Sequence, residues 1–240
     1  MGEDTEDNLF HSSSILDIMQ FDLSKAKDDI LLVDKPVGWT SFDVVAKIRG
    51  QIKAAYVVQG EKPTKRQLKV GHAGTLDPFA TGLLIILLGD ATKKADEFLK
   101  LDKVYEATIR LGQTSTTGDP EGELTELSDR QPSREEVEET LKKFIGQITQ
   151  IPPKFSAIKV NGQRAYKLAH AGKDVEIPSR QVTIYSLELL DYTYPEVKIR
   201  THVSSGTYIR SLAEDIGASL GVGGYCLALR RTRIGDRYID

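Results

Sequence analysis

The sequence predicts an α+β fold. Three observations predict it: strand-length hydrophobic segments bunch in runs with helical segments between them, a strict strand–helix alternation is missing, and no internal repeat is present. At 240 residues the chain can bury a sizeable core. Its 40% hydrophobic and 28% charged residues match soluble globular domains. The longest apolar run, residues 83–88, is far short of the roughly 20 residues that span a bilayer.

The elements follow in order. Residues 1–29 lack the basic start and apolar centre of a signal peptide and read as a poorly ordered acidic extension with one short helix around 15–21. ILLVDKP, from Ile30, reads as a buried strand ended by Pro36, and residues 38–41 turn the chain into a helix over 42–52. Residues 53–67 form a basic loop. A Gly-rich run over 71–82 precedes LLIILLG, a core strand, and DATKKADEFLK, a helix with Asp90 as N-cap. KVYEATIRLG (103–112) alternates polar and apolar as a half-buried strand does, and TSTTGDPEGEL reads as a long polar loop. Ser133 and Glu136 make a capping box for a helix over 134–144, and Ile151, Pro152 and Pro153 stop the region beyond it.

FSAIKV then reads as a strand, Asn161-Gly162 as a turn, and the residues before Gly172 as a short helix. Strands follow over 181–192 and 196–204. In the second, Val197, Ile199, Thr201 and Val203 face one way and Lys198, Arg200, His202 and Ser204 the other. A helix over 208–220, stopped by Gly221, and a strand over 225–234 complete the chain.

Composition narrows the function. The single cysteine, Cys226, rules out an internal disulfide and a cysteine-rich zinc site, and points to a reducing cytoplasm. His11, His72, His170 and His202 show no metal-ligand spacing, so chemistry without metal or cofactor is expected. The formal net charge of −3 is uneven: residues 1–29 hold eight acids against Lys25 and Lys27, which leaves +3 on residues 30–240. Basic residues cluster at Lys53, Lys62, Lys65, Arg66 and Lys69, and at Arg230, Arg231 and Arg233, as phosphate contacts require and as a solvated surface also allows.

Three stretches carry candidate chemistry. In GHAGTLDPFATG (71–82), glycines let backbone approach a ligand, and Pro78 restricts the backbone of Asp77. An ordinary Asp-Pro turn explains the pair equally well. In SGTYIRSLAEDIG (205–217), Thr207 can cap the helix and Arg210 falls in its first turn beside core-facing Ile209. A buried arginine there needs a carboxylate or phosphate partner, for which Asp77 is a candidate, whereas a surface arginine would need none. Tyr105 could stack on a base or fill the core.

Together these stretches resemble the TruB family of pseudouridine synthases, from about Ile30 to Tyr238. Six ordered segments carry the resemblance: LLVDKPVGWTS, GHAGTLDPFATGLL, KVYEATIRLGQTSTTGD, IPPKFSAIKVNGQRAYKLAHAG, SSGTYIRSLAEDIG and CLALRRTRIG. The resemblance implies a pseudouridine synthase fold, a mixed, mainly antiparallel sheet flanked by helices and loops, with residues 30–240 as the catalytic domain. It implies that Asp77 attacks a uridine, at ribose C1′ or uracil C6, and that uracil is rejoined through C5. Arg210 would pair with Asp77 and keep it ionised, and Tyr105 would stack on the base and could take the C5 proton. Leu229 would wall the pocket, and Lys35 and Pro36 would support the catalytic loop. His72 would fill the gap left by the flipped uridine, although a core histidine is an alternative. Gly74, Thr75, Lys159 and Arg231 complete the implied substrate-binding set. The implied substrate is the uridine at position 55 in the T loop of tRNA. The T arm would be the partner, with no metal, cofactor or membrane contact; the sequence does not specify an oligomeric state, and a monomer is the default expectation.

Two features depart from the family pattern. Bacterial members commonly continue into a small C-terminal RNA-binding (PUA-like) domain, whereas this sequence stops at Asp240, and the acidic extension has no counterpart. Two other readings compete: a tRNA-binding or tRNA-folding protein without turnover, and an enzyme acting on another RNA. Asp77, Tyr105 and Arg210 together argue against loss of chemistry.

Overall fold

The computed structural model describes residues 9–12, 29–153, 159–160, 163–164 and 177–239, and the chain divides into two units, Met1–Leu101 with Arg230–Asp240, and Asp102–Leu229. The fold is α+β, as the sequence predicts.

In the first unit the central strand is β4 (Thr81–Leu88), whose side chains from Gly82 onward are buried. An uninterrupted apolar run is what a strand covered on both faces requires. β4 pairs antiparallel along its length with β2 (Ile30–Lys35). Its other edge is shared: residues 85–88 pair antiparallel with β3 (Val70–Ala73), and Thr81 and Gly82 pair in parallel with Arg230 and Arg231 of β13 (Gly224–Ile234). A short strand, β1 (Leu9–Ser12), runs parallel to β2, so part of the acidic extension is a strand; the helix expected around 15–21 lies outside the described residues. Ile30, Leu32, Leu83, Ile85 and Leu87 form one buried cluster with Ala73, Ala91, Phe98 and Ile234.

Helix α1 (Ser41–Val58) is longer than the expected 42–52. Lys53, Ala54 and Ala55 are good helix formers, and Tyr56 continues the buried stripe of Val45, Ile48 and Ile52, so the basic loop starts later than predicted. Thr40 is its N-cap, in a capping box with Asp43. The helix expected over DATKKADEFLK is a 3₁₀ helix, Gly89–Lys94, followed by α2 (Ala95–Leu99). Asp90 is not its N-cap. Leu88 holds that position without a side-chain bond, and Asp90 pairs with Arg66 and Lys93.

The second unit holds β5 (Lys103–Leu111), β12 (Glu196–Val203), β11 (Arg180–Thr193) and β8 (Gly146–Gln150), paired antiparallel in that order. The predicted alternation is realised: Val197, Ile199, Thr201 and Val203 are buried, and they sit opposite Ile109, Ala107, Tyr105 and Lys103 of β5 on the same face. β8 lies between the predicted helix and the predicted stop at residues 151–153, where no element was expected. The predicted polar loop is a hairpin in part, with β6 (Gln113–Ser115) paired to β7 (Leu124–Glu126). Helix α3 (Arg134–Lys142) has the predicted capping box of Ser133 and Glu136. Of the FSAIKV region, β9 (Lys159–Val160) and β10 (Gln163–Arg164) form a short hairpin. The Asn161-Gly162 turn and the helix before Gly172 lie outside the described residues. Helix α4 (Ile209–Ser219) completes the unit, and β14 (Arg237–Tyr238) ends the first one.

Candidate active site

The loop that carries Asp77 is braced within the first unit by three buried polar side chains from different elements. Lys35, at the end of β2, is 0% exposed. Its ammonium donates to the carbonyls of Pro36 (2.9 Å), Trp39 (2.7 Å) and Pro78 (3.4 Å), partners that a buried cation needs. Ser41, the first residue of α1, accepts from the Leu76 N–H at 2.8 Å and donates to the Leu76 carbonyl at 3.1 Å. Arg231 of β13, 2% exposed, donates from Nε to the Leu83 carbonyl and from Nη2 to the Gly74 carbonyl.

Asp77 therefore sits, half-buried, between residues anchored on both sides. Its own carbonyl accepts from the Ala80 N–H, and the Pro78 carbonyl also accepts from the Gly38 N–H. Gly82 has no room for a side chain: at φ +100°, a Cβ would fall 2.3 Å from the Arg231 carbonyl oxygen. His72 is half-buried on β3, Gly74 holds φ +94°, and Thr75 is exposed. Pro36, half-buried, follows Lys35. Arg230, expected among phosphate-facing residues, makes a two-bond pair with Asp34.

In the second unit the helix start that carries Arg210 is tied to β8. Thr207 is not the cap; its hydroxyl donates to the Ser204 carbonyl. The amide of Gln150, a fully buried side chain, instead accepts from the Tyr208 N–H and donates to the Tyr208 carbonyl. Ser211 donates to the Ile151 carbonyl. Arg210 is held between these two anchors, 4% exposed.

The anionic partner that a buried arginine needs is Asp119, in the segment predicted to be a polar loop. Arg210 Nη1 donates to Asp119 Oδ2 at 3.0 Å and to the Thr117 carbonyl at 2.8 Å. Both side chains are about 5% exposed or less. One turn along α4, Glu214 borders a cavity of about 410 Å³ that also touches Thr117 and Ser211. Burial, reinforced by Asp215 and opposed by Arg210, pushes the Glu214 carboxyl up to about 6.

Tyr105 on β5 and Leu229 on β13 are both buried. The Lys159 side chain lies outside the described residues. Among the described residues, no group of three or more His, Cys, Asp or Glu is placed to hold a metal ion, and no helix is long and apolar enough to cross a membrane.

The chain is similar in sequence and structure to known proteins. Residues 62–209 match the model of the TruB family pseudouridylate synthase N-terminal domain. The tRNA pseudouridine synthase B of Parabacteroides distasonis is 48% identical over 213 residues, 88% of this chain and 88% of that protein. The protein of the same name from Thermobifida fusca is 47% identical over 226 residues, 89% of this chain and 71% of that one. A chain in the crystal structure of a Cbf5–Nop10–Gar1 complex superposes with a TM-score of 0.64 at 31% identity, over 88% of this chain and 50% of that chain, so this chain spans about half its length. With the family model matching more than half of its residues and the relatives matching nearly nine-tenths, the chain belongs to the TruB family of pseudouridylate synthases.

Proposed function

We propose that residues 30–240 form a catalytic domain that converts uridine to pseudouridine at position 55 in the T loop of tRNA. Asp77 is the nucleophile and attacks the flipped-out uridine at C1′ or C6. The C1′–N1 bond breaks, uracil turns and C1′–C5 forms, the bond from Asp77 Oδ to C1′ or C6 breaks to return the free carboxylate, the C5 proton is lost to solvent and N1 takes a proton, so the product is an isomer of the substrate and needs no redox partner. Tyr105 stacks on the base. Arg210 favours the ionised form of the nucleophilic carboxylate. Leu229 lines the base pocket, and His72 fills the stack that the uridine leaves.

The observation that carries this reading is the bracing of residues 74–78. Three buried polar side chains spent on the backbone around one half-buried carboxylate are far more than an ordinary turn needs, and suit a residue that must be presented in one pose. The relatives' names identify tRNA as the substrate of those proteins. The exposed basic residues Lys53, Lys62, Lys65, Arg66 and Lys69 supply a phosphate-binding surface for the same substrate here.

The test is to incubate the purified protein with a pool of unmodified tRNAs and map pseudouridine at nucleotide resolution. Modification at position 55 across the pool is expected. Product at other positions with none at 55 would overturn the substrate assignment.

A further inference from the structure

We propose that Thr117 is a positioning residue for the reaction, holding Arg210 in one pose through its hydroxyl on Asp119 and its carbonyl on the guanidinium. The inference rests on the reading that Arg210 serves the chemistry. Arg210 Nη1 has two hydrogens, and Thr117 governs where both go. One reaches the Thr117 carbonyl at 2.8 Å, and the other reaches Asp119 Oδ2 at 3.0 Å. The Thr117 hydroxyl donates to the opposite oxygen, Asp119 Oδ1, at 2.6 Å, which fixes the rotation of the carboxylate. The Glu121 N–H supports the same oxygen at 3.0 Å, and Ser115 Oγ donates to the Asp119 carbonyl at 2.6 Å.

Between Thr117 and Asp119 the chain turns through a left-handed glycine. Gly118 holds φ +73°, and a Cβ there would lie 2.9 Å from Glu214 Oε1 and 3.4 Å from Arg210 Cβ. Without the Thr117 hydroxyl, Oδ1 keeps only the longer bond from the Glu121 N–H, and the carboxylate can turn its Oδ2 off the guanidinium without moving the backbone. The guanidinium then keeps its burial and loses its aim.

The experiment compares wild type with Thr117→Val, Thr117→Ala, Thr117→Ser, Asp119→Asn and the Thr117→Val/Asp119→Asn double variant. The readouts are the single-turnover rate of pseudouridine formation on unmodified tRNA, tRNA affinity and melting temperature. Val and Ala are expected to slow the single turnover about tenfold while tRNA affinity stays within about twofold, and Ser to recover most of the rate. In the Asp119→Asn background, Thr117→Val should add less than about twofold, because both changes break one linkage. Testing Val and Ala in parallel separates loss of the hydroxyl from a folding defect peculiar to either replacement.

A wild-type rate in Val and Ala would overturn the inference, as would a Ser variant as slow as Val or full additivity with Asp119→Asn. An active Asp77→Asn enzyme would sink the underlying reading of the site. Inactive Asp77→Asn beside full-rate Thr117→Val would sink this inference alone.

Discussion

Ser41 grips Leu76 by both ends of its peptide: the Ser41 hydroxyl accepts from the Leu76 N–H at 2.8 Å and donates to the Leu76 carbonyl at 3.1 Å. Leu76 precedes Asp77, so the first residue of α1 sets where the proposed nucleophile begins. The Thr40–Asp43 capping box fixes that end of the helix and thereby the Ser41 hydroxyl.

Replacing Ser41 by Ala leaves a buried N–H and carbonyl without their partner. The expected cost is about 2 kcal/mol in chemical denaturation, with pseudouridine formation slowed about tenfold and tRNA affinity unchanged. Full activity in a destabilised variant would show that the loop keeps its geometry without Ser41.

Gly82→Ala tests the close parallel approach of β4 and Arg231. The added methyl would meet the Arg231 carbonyl oxygen at 2.3 Å on a backbone already at φ +100°. A loss of about 3 kcal/mol or more is expected. Gly38→Ala, at φ +81° with nothing within 4 Å, should cost only about 1 kcal/mol, the strain alone. Equal melting temperatures for the two variants would refute the steric account.

Glu214 gives the fold a pH dependence of known sign. Its carboxyl is raised from 4.5 to about 6 by burial first and then by Asp215. The folded state therefore favours the protonated form, and its contribution is complete below about pH 4.5 and lost as pH rises through about 6. Discounted for partial solvent screening, the loss is on the order of 1 kcal/mol. The stability of Glu214→Gln relative to wild type should grow across that window and level off above it. A difference that is flat or shrinks with rising pH would contradict the assignment.

Legibility in the sequence followed the locality of the signal. The alternation in β12 and the Ser133–Glu136 capping box are written in neighbouring residues, and both are realised in the structure. The Thr40–Asp43 box is equally local and puts the start of α1 at Ser41, one residue before the predicted 42, whereas its six residues beyond 52 open with Lys53, which also suits a loop. The braces of the Asp77 loop were not readable as braces, because Lys35, Ser41 and Arg231 come from three distant segments whose meeting depends on strand pairing. Arg210 shows the boundary most clearly. Its need for an anionic partner follows from helix position and charge, but Asp119 lies 91 residues away in a segment whose composition reads as a solvated loop. Gln150, which takes the place of a cap for α4 from a separate strand, is invisible for the same reason.

The role of Asp77 is tested by tritium release from C5-labelled uridine in tRNA by Asp77→Asn, with tRNA binding and melting temperature measured on the same preparation. The amide keeps the shape of the carboxylate and removes its nucleophilic charge. Asp77→Asn should fold and bind tRNA as the wild type does, with release reduced by at least about a thousandfold. Release at the wild-type rate from the folded variant would contradict that role.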